Sequence, residues 1–156
     1  MKAQTDYCIR QAVAADLSAI RRCAELSYAC YIARMGRKPA PMVADFTSAI
    51  ASEQVDIITS QSAELLGFMV SYPKHHHFFL ENIAIDPGYQ QLGLGRRLLN
   101  HCEYKARLHG YTSIELYTNE KMTENLAWYP RRGYVETERK VENGFHRVYF
   151  RKTLSL

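Results

Sequence analysis

Two rhythms of apolar and polar residues run along this chain. From Leu94 to His109 the apolar residues Leu94, Leu98, Leu99, Cys102 and Ala106 fall on one side of a 3.6-residue period and Gly110 follows, which predicts a helix with one buried face and a glycine stop. A similar spacing of Leu17, Ile20, Ala24, Tyr28 and Tyr31, entered through Asp16 as N-cap, predicts a helix ending by Gly36. Shorter helical segments are expected around Phe46 and Ile50, and from Thr123 as N-cap through Tyr129. Between them lie extended apolar runs. "YCIRQAV" (7–13) reads as an opening strand, and "VDIITSQ" with "ELLGFMVSYP" as a hairpin. "FFLENIAID" (78–86) and "SIELYT" are further strands, and the chain closes on a hairpin turning at Asn143-Gly144. This order of strands and helices predicts a mixed α/β domain without internal repeats.

At 156 residues and 47% hydrophobic, the chain is long enough for one ordinary core, so a single domain over 1–156 is expected. The opening "MKAQTDYCIR" has no apolar stretch of signal-peptide type, and no run approaches the roughly 18 apolar residues of a membrane span. A cytoplasmic protein with no membrane partner is the expectation. The net charge of +4 suits a polyanionic ligand, but the basic residues are scattered, so no nucleic-acid partner is expected. Cys8, Cys23, Cys30 and Cys102 form no C-x-x-C pair and are read as reduced, mostly buried thiols. His75, His76 and His77 are read as a solvated connection, since adjacent imidazoles at a strand end do not converge on one centre; no metal is expected.

The segment "IDPGYQQLGLGRRLL" (85–99) carries the chemistry. Gly93 and Gly95 stand where a strand gives way to a helix, and Arg96 and Arg97 occupy the helix's first turn, an unfavourable place for cations unless an anion sits there. A dinucleotide fingerprint would need glycine at Leu98, and the G-K-[ST] of a P-loop is absent. Successive amides from Gln90 to Arg96 can still cradle a phosphate at the helix N-terminus. "Q-x-x-G-x-G" at Gln90, Gly93 and Gly95, preceded by "ENIAIDP" and followed by a Leu-rich helix, resembles the pyrophosphate motif of the GNAT superfamily of acyl-CoA-dependent N-acyltransferases. "TNEKMTENLAWYPRRGY" (118–134) resembles the region that follows in that superfamily. The resemblance implies an α/β fold with a mostly antiparallel central sheet, splayed between its fourth and fifth strands, and helices on both faces. It also implies acetyl-CoA as co-substrate. Ile83, Ala84 and Ile85 would pair with the pantetheine arm like another strand, and Gln91, Leu92, Gly93, Leu94, Gly95 and Arg96, with Gln90 leading, would hold the pyrophosphate.

Acetyl transfer to an amine needs a proton acceptor, a polarised carbonyl and a proton for the thiolate. Glu81 is the preferred base: alternation places it on the face of Phe79, Ile83 and Ile85, where apolar company raises a carboxyl's pKa. Glu115 is its rival on the next strand. A salt-bridged or partly exposed glutamate is the alternative to a base at Glu81. Backbone amides of the Ile83–Ile85 segment are the expected polarising groups. In the superfamily a tyrosine at the position of Tyr129 protonates the thiolate, and Asn125, one helical turn earlier, could steady the coenzyme. Two departures stand out. Pro130 follows the tyrosine and must end or kink the helix, and many relatives place an asparagine where this chain has Met122. Tyr28, Tyr31, Met35 and Arg37 are candidates for an acceptor pocket. The leading function is an N-acetyltransferase acting on a small-molecule or peptide amine, with a homodimer expected for the class. An inactive acyl-CoA-binding module is the alternative, and the sequence leaves the acceptor open.

Overall fold

The computed structural model describes residues 6–155. The strands are β1 (Cys8–Gln11), β2 (Val55–Thr59), β3 (Leu65–Lys74), β4 (His77–Ile85), β5 (Ser113–Asn119), β6 (Val135–Glu142) and β7 (Phe145–Thr153). They form one sheet in the order β1-β2-β3-β4-β5-β7-β6, antiparallel except for the β4–β5 pair. The helices are α1 (Leu17–Tyr28), α2 (Tyr31–Met35), α3 (Phe46–Ala51), α4 (Leu94–Leu108) and α5 (Thr123–Trp128).

Each face of the sheet buries the stripe its helices were expected to present. Leu94, Leu98, Leu99, Cys102 and Ala106 of α4 pack with Met69, Phe78, Leu80, Leu116, Val148 and Phe150. On the opposite face, Ile20, Cys23, Ala24 and Tyr28 of α1 and Phe46 and Ile50 of α3 pack with Val55, Ile57, Phe68, Val70 and Ala84. The mixed α/β fold with helices on both faces is therefore present. Across the α4 face, Lys105 reaches the buried Asp56 of β2 at 2.6 Å, and Lys152 reaches the buried Glu103 at 2.9 Å.

Several local expectations are revised. The first helix breaks after Tyr28, so Tyr31 opens a separate short helix that stops at Gly36, whose φ is +70°. Asp16 sits at the N-cap of α1 but turns its carboxylate back, accepting from the Val13 amide at 2.8 Å and pairing with Arg10. Met122, not Thr123, is the N-cap of α5. His77 belongs to β4, where its Nδ1 lies 2.6 Å from the Ser113 hydroxyl, and only His75 and His76 form the turn. Of the cysteines, Cys23 and Cys102 are buried while Cys8 and Cys30 are exposed.

Two bulges set the geometry of the centre. Pairing of β2 with β3 slips between Ile58↔Gly67 and Thr59↔Leu65, leaving Leu66 unmatched. Pairing of β3 with β4 slips between Val70↔Asn82 and Ser71↔Leu80, leaving Glu81 unmatched. An extra residue interrupts strict alternation and re-aims the side chains beyond it. Gly67 is needed beside the first bulge, because a Cβ there would stand 2.5 Å from Ile85 Cδ1 and 2.7 Å from the Ala84 carbonyl oxygen.

Candidate active site

The parallel pairing of β4 with β5 covers Phe78↔Ile114, Phe79↔Glu115 and Leu80↔Leu116 and then stops, although β4 continues to Ile85 and β5 to Asn119. Beyond Leu80 the two strands diverge. The Asp86 amide donates to the Leu66 carbonyl of β3 at 2.8 Å, so by alternation the amides of Ile85 and Ile83 face the gap and that of Ala84 faces β3. The carbonyls on the gap side already face side chains of α1. Ser27 donates to the Ile85 oxygen at 2.9 Å, and the Tyr28 hydroxyl donates to Asn82 Oδ1 at 2.5 Å while lying 2.9 Å from the Ile83 oxygen. What β4 offers to a ligand in the gap is therefore its N–H groups, which require an acceptor once buried.

The gap leads to the mouth of α4. Asp86 accepts from the Gly88 amide at 2.8 Å to shape the Pro-Gly turn, and Gln90 reaches back to the Ile85 oxygen at 3.4 Å. Gln91 and Gly93 both have positive φ, +67° and +78°, folding the loop back on itself before the helix begins. Positive φ at Gly93 costs nothing, whereas a side chain there would be strained. The first bond closing α4 runs from the Arg97 amide to the Gly93 oxygen, so the amides of Leu94, Gly95 and Arg96 emerge without an intrahelical partner. Leu94 is buried and anchors the helix start, while Leu92 is half exposed. Arg132, stacked 3.9 Å from the Trp128 ring, adds positive charge nearby. Burial, then the charges of Arg96 and Arg131, push its guanidinium below the usual arginine range. Unpaired amides and crowded cations make this end of the gap suited to an anion.

At the other end the gap opens into a cleft lined by Tyr28, Met35, Glu81, Asn82, Asn125 and Tyr129 among others. A second, more open hollow adjoins it, sharing Glu81, Asn82, Tyr117 and Arg147 among its lining residues. Glu81 thus stands on the divide between the two. The sequence expectation that it shares a face with Ile83 and Ile85 is corrected here. The bulge resets the alternation, so Ile83 and Ile85 pack toward α4, whereas Glu81 faces the α1 and α3 side with Tyr72. Burial raises the Glu81 carboxyl above the usual carboxylate range, opposed by the charge of Lys74, the hydrogen bond with Tyr72 and the charge of Arg147. Burial, with the Glu81 charge behind it, pushes the Tyr72 phenol up to about 12.

Glu115 is placed differently. It pairs with Arg151, its cross-strand neighbour on β7, at 3.0 Å and lies 4.0 Å from His77 Nε2, and it lines neither space.

Pro130 ends α5 as expected, with a 3-10 turn over Pro130–Arg132 following Tyr129. Tyr129 itself keeps helical dihedrals, and its amide still bonds the Asn125 oxygen at 3.1 Å. Its ring packs against Trp128, Tyr134 and Phe150. Burial, then the neighbouring Cys102 and Tyr31, push the phenol well above its ordinary range. Among the described residues none hydrogen-bonds that hydroxyl, and Tyr129 is one of the residues lining the cleft. Asn125 lines the same wall and donates to the Thr118 hydroxyl at 3.1 Å, with Met122 Sδ at 3.7 Å. Of the acceptor-pocket candidates, Tyr28 and Met35 line the cleft. Arg37 instead lies over the Phe145 ring and donates to the Asn143 oxygen, and Tyr31 lies under Arg34. Asn82, Tyr72, Tyr117 and Arg147 were not anticipated. Among the described residues no cluster of three or more His, Cys, Asp or Glu could hold a metal ion, and no helix is long and apolar enough to cross a membrane.

The family model described as "Acetyltransferase (GNAT) family" matches residues 20–134. Among curated protein sequences none matches. Among solved structures, the fold is similar to ribosomal-protein-S18-alanine N-acetyltransferase from Escherichia coli, with TM-score 0.77, 21% identity, and 97% of this chain and 96% of that one covered. It is also similar to PaiA N-acetyltransferase from Thermoplasma acidophilum in complex with coenzyme A, with TM-score 0.79, 16% identity, and 95% and 99% covered. Ard1 from Thermoplasma volcanium gives TM-score 0.76 at 15% identity over 96% and 99%. At these identities the likeness is one of fold.

Proposed function

Since the chain belongs to the GNAT acetyltransferase family, we propose that it transfers acetyl from acetyl-CoA to a primary amine by direct attack in the cleft between β4 and β5. The observation that carries this reading is the continuity of the gap. Free amides at Ile83 and Ile85 connect the unpaired amides at the mouth of α4 to a cleft that holds both Glu81 and Tyr129.

The loop from Gln90 to Arg96 seats the pyrophosphate, where amide dipoles and the helix field compensate its charge. The amides of Ile83 and Ile85 accept the pantetheine arm as a strand would and polarise the thioester carbonyl. An amine entering as ammonium gives up one proton to bulk water. Its nitrogen then attacks the carbonyl carbon, the N–C bond forms, Glu81 takes the second proton directly or through water, and the C–S bond breaks. Tyr129, kept protonated by burial, donates its proton to the departing thiolate. The products are the N-acetyl amine and CoA thiol, and proton exchange with water restores both side chains. Asn125 orients the cleft wall beside Tyr129 through its bond to Thr118.

Calorimetry with acetyl-CoA and a thiol-release screen over a broad amine panel test the proposal together. Binding of acetyl-CoA with release of thiol by at least one amine is the expected result. Absence of heat at millimolar acetyl-CoA overturns it, and binding with no release from any amine makes the domain an acyl-CoA-binding module instead.

A further inference from the structure

Arg147 of β7 borders both spaces alongside Glu81. Its side chain is 13% exposed, yet Glu142, the carboxylate paired with it, stands off at 3.6 Å and is already engaged by the Tyr149 hydroxyl. That separation is beyond a hydrogen bond. The guanidinium carbon lies 4.2 Å from the centre of the Tyr117 ring, a cation–π contact that uses none of its N–H donors. Other arginines of the same region are satisfied. Arg34 forks onto Glu124 at 2.7 and 2.8 Å, and Arg37 donates to the Asn143 oxygen at 3.0 Å. A guanidinium on the wall of both spaces with unspent donors is open to an anion, and a guanidinium pairs best with a carboxylate in two parallel bonds.

The charge around Glu81 points the same way. Lys74, over the Phe79 ring at 4.5 Å, and Arg147 both act on Glu81, so a second cationic group on the acceptor would meet repulsion. An acceptor whose amine approaches Glu81 and whose carboxylate meets Arg147 neutralises both. The hollow beyond is walled by Phe46, Val70, Tyr72 and Tyr117 together with Asp45, Ser48 and Gln54, a mixed polar and aromatic setting with room for a side chain.

Resting on the transferase reading above, we infer that Arg147 binds the acceptor's carboxylate and that the acceptor is an amino acid, a small molecule carrying a primary amine and a free carboxylate. Arg147 is then a specificity residue: it holds the substrate and takes no part in proton transfer.

The test is thiol release with acetyl-CoA and a panel of L-amino acids, each beside its carboxamide and its decarboxylated amine. At least one amino acid is expected to exceed its own amide and amine in kcat/KM by about 10-fold or more. Arg147→Gln should shrink that acid-to-amide ratio by about 10- to 100-fold, chiefly through KM, with Arg147→Lys recovering part of it. Equal or better use of amides and amines by the unaltered enzyme overturns the inference and leaves the transferase standing; this comparison decides the matter even if the variants fail to fold. A ratio that Arg147→Gln leaves untouched overturns the role of Arg147. No release from acids, amides or amines overturns the transferase reading and this inference with it.

Discussion

Glu81→Gln replaces the proposed base by a neutral side chain of the same shape, so the cleft keeps its volume and loses its proton acceptor. A positioned general base contributes about 10² to 10⁴ in rate, equivalent to about 2.7–5.5 kcal/mol of barrier. The variant is expected to lose turnover by that factor at neutral pH. The structure also predicts what should happen to stability. Burial raises the carboxyl in the folded state above its value in the unfolded chain. A group shifted in this direction favours folding below its unfolded pKa, and that contribution is lost as pH rises through the folded pKa. At neutral pH the ionised Glu81 therefore opposes folding, and Glu81→Gln should be at least as stable as the parent. The assay is kcat/KM for thiol release against pH, run beside thermal melts. In the parent the rate rises with pH as Glu81 ionises, at a pH above the ordinary carboxylate range. In the variant that limb disappears and only the limb set by the amine itself remains. Tyr72→Phe, which removes a hydrogen bond that lowers the Glu81 pKa, should move the limb upward. An unchanged rate and an unchanged acid limb in Glu81→Gln would refute the assignment. So would transfer of the whole effect to Glu115→Gln, a residue whose carboxylate is already paired with Arg151.

Tyr129→Phe is expected to lower kcat by about 10² or more while leaving the calorimetric affinity for CoA close to the parent's; equal losses in both would make Tyr129 a packing residue. Gly67→Ala drives a Cβ against the Ala84 carbonyl and the Ile85 side chain, so a loss of about 1–3 kcal/mol in chemical denaturation is expected, with weakened CoA affinity because Ile85 must move. Lys105→Met strands the buried Asp56 without its partner and should cost about 3–5 kcal/mol, most of which Asp56→Asn in the same chain should restore; a cost below 1 kcal/mol would show that Asp56 recruits water instead.

The elements whose period is carried by consecutive side chains were legible in the chain itself. The stripe of α4, the Asn143-Gly144 turn, the buried strands and the glycine-spaced loop with its family signature all depend on neighbours within a few residues. The unpaired amides at the start of α4 were readable for the same reason: orphan amides follow from the start of any helix, and glycines mark where they are left uncovered. Short-range inference failed where an element was shorter than its pattern. The first helix appeared continuous to Gly36 because Tyr31 keeps the period, but the chain breaks after Tyr28 and α2 starts afresh.

What the sequence determined, then, was the class of fold, the family and the glycine-spaced loop at the mouth of α4. The tertiary structure decided the end of the cleft that holds Glu81. A one-residue bulge is a property of two strands in register, and it moved Glu81 off the face of Ile83 and Ile85 to the side that holds Tyr72 and Arg147. Arg147 lies 66 positions from Glu81 and reads in sequence as one more surface cation on a closing hairpin. Only the pairing of β7 with β5 brings it against Tyr117 and the cleft. Local periodicity specifies which face a residue takes within its own strand, but a site built across a sheet depends on register, and register is fixed by partners far away in the chain.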